Sequence, residues 1–255
     1  MMITIAIANQ KGGVGKTTTT VTLAHGLALK HYSVLIVDLD PQGQCSSHLG
    51  MVQESGVFDL LVVNNPRPSL RDVVRNTGRK GLYLLPGNKR TASAQTLLTI
   101  EGYDKTALAQ ILGEPRFNSG RLHYVILDTA PSAGGLQEMA LYAADIVILP
   151  AAVDYLSLEG VAQILGTLKT LERLQPPVVR VLPTFYDEVT RESAANLTEL
   201  RKQFVQMVLE PIHRAVALRE CPPLGKTVFE HKPDSRAATE YASVVWEVIN
   251  VSRGQ

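Results

Sequence analysis

Residues 9–20 read Asn-Gln-Lys-Gly-Gly-Val-Gly-Lys-Thr-Thr-Thr-Thr, a run whose glycines, ammonium groups and hydroxyls are spaced to hold phosphate. Without side chains at Gly12, Gly13 and Gly15, backbone N–H groups can close around phosphate oxygens. A helix starting near Lys16 points its positive end at the same anion. Lys16 then reaches the outer phosphates, and the Thr17 hydroxyl is placed to ligate Mg²⁺. The expected phosphate contacts are Gly12, Gly13, Val14, Gly15, Lys16, Thr17 and Thr18. This chemistry is that of a nucleoside triphosphate with its metal ion.

Carboxylates follow at two further points. Val37-Asp38-Leu39-Asp40-Pro41-Gln42-Gly43 closes one apolar run, and Ile126-Leu127-Asp128-Thr129-Ala130-Pro131-Ser132 closes another. Asp38 and Asp40 are two apart at a strand end that turns before Pro41, and they are expected to take different jobs. Asp40, in a turn facing the terminal phosphate, is placed to orient or deprotonate a water. Asp38 or Asp40 is expected to act on Mg²⁺ through water. Asp128 has the position of a Walker B carboxylate, also acting on Mg²⁺ through its water shell. A second Gly-Lys-Thr at Gly225–Thr227 follows Pro222-Pro223, lacks the earlier glycine, and is read as a turn.

These residues need strands to carry them. Apolar runs recur at Ile3–Ala8, Val34–Asp38, Leu82–Pro86, Tyr124–Asp128, Ile146–Pro150 and Val178–Thr184, rich in Val, Ile and Leu with little alternation. Helical patterns lie between them, notably Thr17–Lys30, Leu136–Ala144, Leu158–Leu174, Arg191–Val208 and, last, about Ser235–Val251. Such alternation predicts an α/β fold, doubly wound, with a mostly parallel sheet covered by helices on both faces and the ligand at the strands' carboxyl ends. The 255 residues are expected to form a single domain, with the Pro- and Gly-punctuated stretch 51–120 as an irregular insertion within it.

With 45% hydrophobic and 19% charged residues the chain reads as globular rather than disordered. No apolar run has the length of a membrane span, and Glu240 and Glu247 sit where a membrane-surface helix would carry Lys or Arg. A cytoplasmic protein is expected. Cys45 and Cys221 lack metal-ligand spacing and are read as bystander thiols. Net charge is +1, so no whole-molecule field draws the chain to nucleic acid. Local excess exists between Arg67 and Arg121, where ten Lys or Arg face four Asp or Glu. Arg67, Arg71, Arg75 and Arg79 fall four apart, as on one helix face, although Pro66 and Pro68 put the helix start near Ser69.

The phosphate run departs from G-x-x-x-x-G-K-[ST] by having Gln10 where glycine is expected and an extra lysine, Lys11. This K-G-G-x-G-K-T form resembles the deviant Walker A motif of the ParA/MinD group of P-loop ATPases. Val37–Ser47 is similar to the D-x-D-P-Q-G-N-x-[ST] segment of ParA-type partition ATPases, with Gln44 in place of Asn. Asp128–Ser132 is similar to their D-x-P-P-S, Tyr155–Gly160 to their Y-x-x-L-E-G. Gly225-Lys226 with Pro233-Asp234-Ser235-Arg236 and Ala238 resembles the end of the small Soj-like members. The resemblance covers nearly the whole chain and is weakest across 51–120.

It implies an ATPase using ATP and Mg²⁺, slow without its partner. It further implies a sandwich homodimer in which Lys11 reaches the partner subunit's nucleotide and joins Lys16 and Asp40 as the catalytic set. Double-stranded DNA would be bound without sequence preference, a ParB-like protein would stimulate turnover, and the protein would be nucleoid-associated, partitioning plasmid or chromosome DNA. Two departures matter. Ile212-His213-Arg214-Ala215 replaces the I-P-R-N found near the adenine, which makes His213 a candidate base contact. Positions matching family DNA-binding arginines are Val189 and Ala217, so the candidates become Arg191, Arg214 and Arg219, or else Arg71 with Arg75. Two other readings stay open: the same switch positioning a protein assembly, such as a microcompartment or chemotaxis cluster, over the nucleoid, and a small-molecule ligase or kinase on the same scaffold.

Overall fold

The computed structural model describes residues 2–62, 68–102, 104–115, 117, 122–132, 134–154 and 157–254. Pro66, Arg67, Arg121, Tyr155 and Leu156 lie outside the described residues. The first half of the chain runs β1 (Ile3–Ile7), α1 (Lys16–Leu29), β2 (Val34–Asp38), α2 (Gln44–His48), α3 (Val57–Val62), α4 (Leu70–Val73), β3 (Arg75–Asn76), β4 (Leu82–Leu85), α5 (Arg90–Ile100) and α6 (Ala107–Gly113). The second half runs β5 (Tyr124–Asp128), α7 (Gly135–Ala143), β6 (Ile146–Ala152), α8 (Ser157–Thr170), β7 (Val178–Thr184), α9 (Arg191–Gln203), α10 (Val216–Leu224), α11 (Val228–His231) and α12 (Arg236–Arg253).

Among the described residues seven strands form one sheet in the order β3-β4-β2-β5-β1-β6-β7, parallel except for the β3–β4 pair. The central strands are buried on both faces because each residue type suits the interior and successive side chains alternate. Ile3, Ile5, Ile7, Val34 and Ile36 point into one core with α1, α11 and α12. Ala6, Ala8, Leu35 and Val37 point into the other, with α3, α5, α6, α7, α8 and α9. The doubly wound architecture follows directly from that two-sided burial.

Register decides where the carboxylates meet. β2 and β5 are adjacent, with Asp38 opposite Asp128, and β1 flanks β5 with Ile7 opposite the same aspartate. The loop after β1 and both acidic strand ends therefore open at one carboxyl edge, beside the position where strand order reverses.

Three expectations are corrected. Arg71, Arg75 and Arg79 do not share a helix face: α4 is a single turn, opened by a Ser69–Asp72 capping box and closed by extended Val74. Arg75 then lies in β3, held by Glu54 at 2.5 Å, and Arg79 lies beyond it, bonded to Glu230, Leu49 O and Gly225 O. The helix expected over Arg191–Val208 stops at Gln203, because Val208 pairs with Val181 on β7 and the chain must be extended there. The helix expected over Leu158–Leu174 ends at Thr170, and Glu172 takes a left-handed φ of 50°. Residues 51–120 carry α3 through α6, and β4, at the strand expected over Leu82–Pro86, pairs with β2 inside the sheet. Gly225–Thr227 is a turn: Gly225 closes α10 with φ 60° and Thr227 caps α11.

α12 covers α1, which explains why α1 buries Thr19, Thr20, Thr22 and His25 as well as its apolar residues. Their hydroxyls and ring find internal partners, Thr19 with Tyr241 at 3.2 Å and His25 with Thr227 at 2.6 Å. The closest approach is at Gly26, where an added Cβ would meet Val245 Cγ2 at 2.5 Å and Phe229 Cε2 at 3.0 Å. Alanine would gain about 1 kcal/mol of helix propensity but overpack this seam by roughly 1–3 kcal/mol. Gly26→Ala is therefore expected to be net destabilising. A denaturation midpoint equal to or above that of the parent protein would show that the seam tolerates the methyl group.

Candidate functional site

β1 delivers the chain to the phosphate loop, and the loop is shaped before any ligand arrives. Asn9 Oδ1 accepts from the Lys11 N–H at 2.9 Å while its amide donates to Pro150 O at 2.8 Å. Gly13 and Gly15 adopt φ of 74° and 90°, values that a side chain would strain. Gly15 caps α1, so the helix's first N–H groups face the loop's interior. Val14 is buried, its carbonyl accepting from Thr184 Oγ1 at 2.9 Å.

The two lysines have different fates. Lys16 is only 7% exposed, and its Nζ folds back onto Lys11 O at 2.9 Å. Burial pulls its pKa down, against the attraction of Asp128 and Asp40, so the ammonium sits in want of a stronger anion. Lys11 instead extends to Asp154, with Nζ 2.5 Å from Oδ2. It does not line the cavity that Gly12, Gly13, Gly15, Lys16, Thr17 and Thr18 form.

Asp38 and Asp128 face each other, both fully buried. Asp128 accepts from Thr17 Oγ1 at 2.8 Å, Thr20 Oγ1 at 2.7 Å and the Cys45 thiol at 3.3 Å. Asp38 accepts from the N–H groups of Asp40 at 3.2 Å and Cys45 at 3.0 Å. Burial is the largest cause raising both carboxyl pKa values, and the neighbouring charges push Asp38 up further. Among the described residues no Lys, Arg or His lies within ion-pair distance of either. Two such carboxylates beside the Thr17 hydroxyl fit a hard divalent cation approached through water. Asp40 is separate: it faces the cavity and its Oδ1 accepts from the Gln42 N–H at 2.8 Å.

The cavity has a volume of about 560 Å³ and continues from the loop to an apolar end made by Phe185, Ile212, Leu218, Pro222 and Tyr241. His213, expected near the base, is not part of that lining. Tyr186 and His213 are bridged in extended chain, so neighbouring side chains alternate, and His213 turns outward while Ile212 and Arg214 face the cavity. Its ring is held by Glu240 at 2.6 Å and Arg236 at 2.6 Å, edge-on to Tyr186.

The DNA candidates fall on opposite sides of the sheet. Arg191 opens α9 next to β7, whereas Arg71 and Arg75 lie at the β3 edge. Arg214 and Arg219 line the rim of the nucleotide cavity. Sequence reasoning did not find Phe185, whose φ of 56° sets its ring against Gly15, nor Asp154 as the partner of Lys11, nor the thiol of Cys45 beside Asp128. None of these has a local signature, because each acts through a contact with a distant segment.

Comparison with known proteins agrees with this geometry. The family described as AAA domain matches residues 2–180. The chromosome-partitioning ATPase Soj of Thermus thermophilus is 39% identical over 249 residues, covering 96% of this chain and 94% of the relative. A solved structure of McdA from Cyanothece superposes with a TM-score of 0.85 over 98% of this chain and all of that one, at 22% identity, which speaks to the fold alone. A structure of cobyrinic acid a,c-diamide synthase from Mycobacterium smegmatis, with an ATP analogue and magnesium bound, is 28% identical with a TM-score of 0.82, covering 100% of this chain and 98% of that one. A glycine-rich loop between two lysines, with paired aspartates at the adjoining strand ends and a Soj relative matching nearly end to end, means that the chain belongs to the ParA/Soj family of ATPases.

Proposed function

We propose that this ATPase is a dimerising switch that binds double-stranded DNA without sequence preference in its ATP state. A ParB-like activator stimulates its turnover, and the cycle partitions plasmid or chromosome DNA. The observation that carries the reading is the split between the lysines: Lys16 serves its own cavity, whereas Lys11 stands outside it on a pairing with Asp154. A lysine so placed is available to a second subunit's nucleotide once that pairing opens.

In this reading ATP binds along the loop, with the N–H groups of residues 12–18 and Lys16 taking the phosphate charge. Thr17 holds Mg²⁺ directly, with Asp128 and Asp38 acting on its water shell; when bound, the ion neutralises charge on the phosphates. Asp40 orients the attacking water. Lys11 from the partner subunit stabilises the negative charge that develops on the phosphate oxygens as the bond breaks. The apolar end of the cavity receives the base through Ile212, Phe185 and Leu218. ATP promotes DNA binding because a dimer sets two local basic patches along one duplex, which a chain of net charge +1 cannot match alone.

A second reading, a small-molecule ligase or kinase on the same scaffold, draws on the 28% identical structure of cobyrinic acid a,c-diamide synthase. It requires a substrate pocket with polar chemistry beside the phosphates, and His48 and Asp40, which line the described cavity, form no ion pair among the described residues. The 39% identity to a partitioning ATPase favours the switch. Retardation of random duplex DNA by the ATP-loaded protein and not by the ADP form tests the choice, and equal behaviour of the two forms refutes the switch.

Removal of the Lys16 ammonium leaves phosphate charge uncompensated in the cradle. Lys16→Ala is expected to weaken ATP binding by at least about 2 kcal/mol, roughly 30-fold. Near-normal affinity by calorimetry would reassign the loop.

Lys11→Ala is expected to bind ATP as a monomer without hydrolysing it. Asp40→Ala is expected to bind ATP, dimerise and stall. Light scattering with ATP separates the two, and full turnover by both variants would end the sandwich-dimer mechanism.

DNA affinity is expected to fall steeply with salt, since non-specific contact is phosphate neutralisation and counterion release. Replacing Arg191, Arg214 and Arg219 by Ala is expected to lower the log–log salt slope by about 3, one per lost phosphate contact, with Arg71 and Arg75 the contrasting pair. A slope unchanged by both replacements would mean that the surface lies elsewhere.

A further inference from the structure

The nucleotide mechanism leaves one side chain on the metal face unused. Cys45 stands on α2, fully buried, with its thiol donating to Asp128 and its N–H to Asp38. One donor atom from each of Asp38, Cys45 and Asp128 lies within 4.8 Å of the others. Two oxygens and a sulfur converging on one point make a mixed donor set that Mg²⁺ does not need, because Mg²⁺ takes oxygen ligands and keeps its waters. We propose that Asp38, Cys45 and Asp128 form a site for a thiophilic divalent cation of the Zn²⁺ or Cd²⁺ class, filled when nucleotide is absent and exclusive with Mg–ATP.

Charge balance is an independent reason. Asp38 and Asp128 receive only N–H, hydroxyl and thiol donors, and among the described residues neither has a basic side chain within ion-pair distance. A buried carboxylate pair with no cation in contact is a binding place for a metal ion. The nearest ammonium, Lys16, is committed to Lys11 O.

Preorganisation supports the same site. Thr17 and Thr20 fix both oxygens of Asp128, and two backbone N–H groups fix both of Asp38, which is the outer support that metal-binding carboxylates require. Three protein ligands leave a fourth position for water, as in open zinc sites. Access runs past Thr17, which both lines the cavity and bonds Asp128. As the metal–sulfur bond forms, the Cys45 thiol proton is released to solvent and no oxidation state changes. The bound ion then occupies Asp128 Oδ2, the oxygen that Thr17 bonds, and so removes the carboxylates from service to Mg²⁺.

The cation site does not depend on the switch reading; only its effect on nucleotide does. The test titrates the nucleotide-free full chain with Cd²⁺ and follows the ultraviolet sulfur-to-cadmium charge-transfer band. The band is expected to saturate stoichiometrically in the parent protein and in Cys221→Ser, and to be lost in Cys45→Ser, which keeps a donor of similar size against Asp128. Prebound Cd²⁺ is expected to reduce binding of a fluorescent ATP analogue with Mg²⁺ in the parent but not in Cys45→Ser. No band in the parent, or an equal band in Cys45→Ser, overturns the site. Simultaneous saturation by Cd²⁺ and Mg–ATP overturns exclusivity. A parent protein that shows the Cys45-dependent band yet binds no ATP refutes the nucleotide reading and leaves the cation site standing.

Discussion

The register between β2 and β5 puts Asp38 against Asp128 at the carboxyl edge, and the rest of the site is arranged around the charge this creates. Two carboxylates on neighbouring parallel strands point to the same face and cannot separate without breaking the ladder. The fold accommodates them by bringing hydroxyls from the first turns of α1 onto Asp128, and N–H groups from the chain entering α2 onto Asp38. The same bonds fasten the start of α1, and with it the phosphate loop, over the sheet. A group meant to serve a cation thereby becomes a structural anchor in its absence.

That anchor has an electrostatic cost. Burial and repulsion raise both carboxyl pKa values in the folded chain, so the folded form binds protons that the unfolded form has released. The sign is therefore opposite to that of a salt-bridged aspartate: stability from this pair is present at low pH and lost as pH rises from the unfolded value through the folded one. A cation between the carboxylates reverses the penalty, which links metal loading to the stability of the site. Lys16 carries the complementary strain. It is a buried ammonium donating to a carbonyl, and the burial that lowers its pKa is a cost that a phosphate beside it would offset.

Helices on one face translate these local demands into a cavity. α12 packs across α1 closely enough to need Gly26, and its Tyr241 reaches the cavity wall while bonding Thr19. α10 supplies Leu218 and Pro222 to the apolar end. Arg79 joins α2's end to the turn after α10 by bonding Leu49 O, Gly225 O and Glu230 at once. An arginine that looks in sequence like part of a basic stripe is thus an interior tie, with its side chain only 12% exposed.

Elements whose information is local were legible from the residues alone. Lys11 to Thr18 named a phosphate loop because glycine spacing and lysine chemistry need no distant partner. The Val- and Ile-rich runs ending in Asp38 and Asp128 named buried parallel strands, because two-sided burial removes alternation. Contacts between segments far apart in the chain left no such trace. Whether Asp38 or Asp40 joined Asp128 depended on strand register and on where β2 stopped. His213 left the cavity because the extended chain beside Tyr186 alternates its side chains, and Glu240 and Arg236 waited on the outer side. Cys45 gained meaning only when α2 carried it to Asp128, 83 residues away. Periodicity and spacing report on neighbours along the chain, whereas side-chain direction at a site is fixed by which strands pair and which helices cover them.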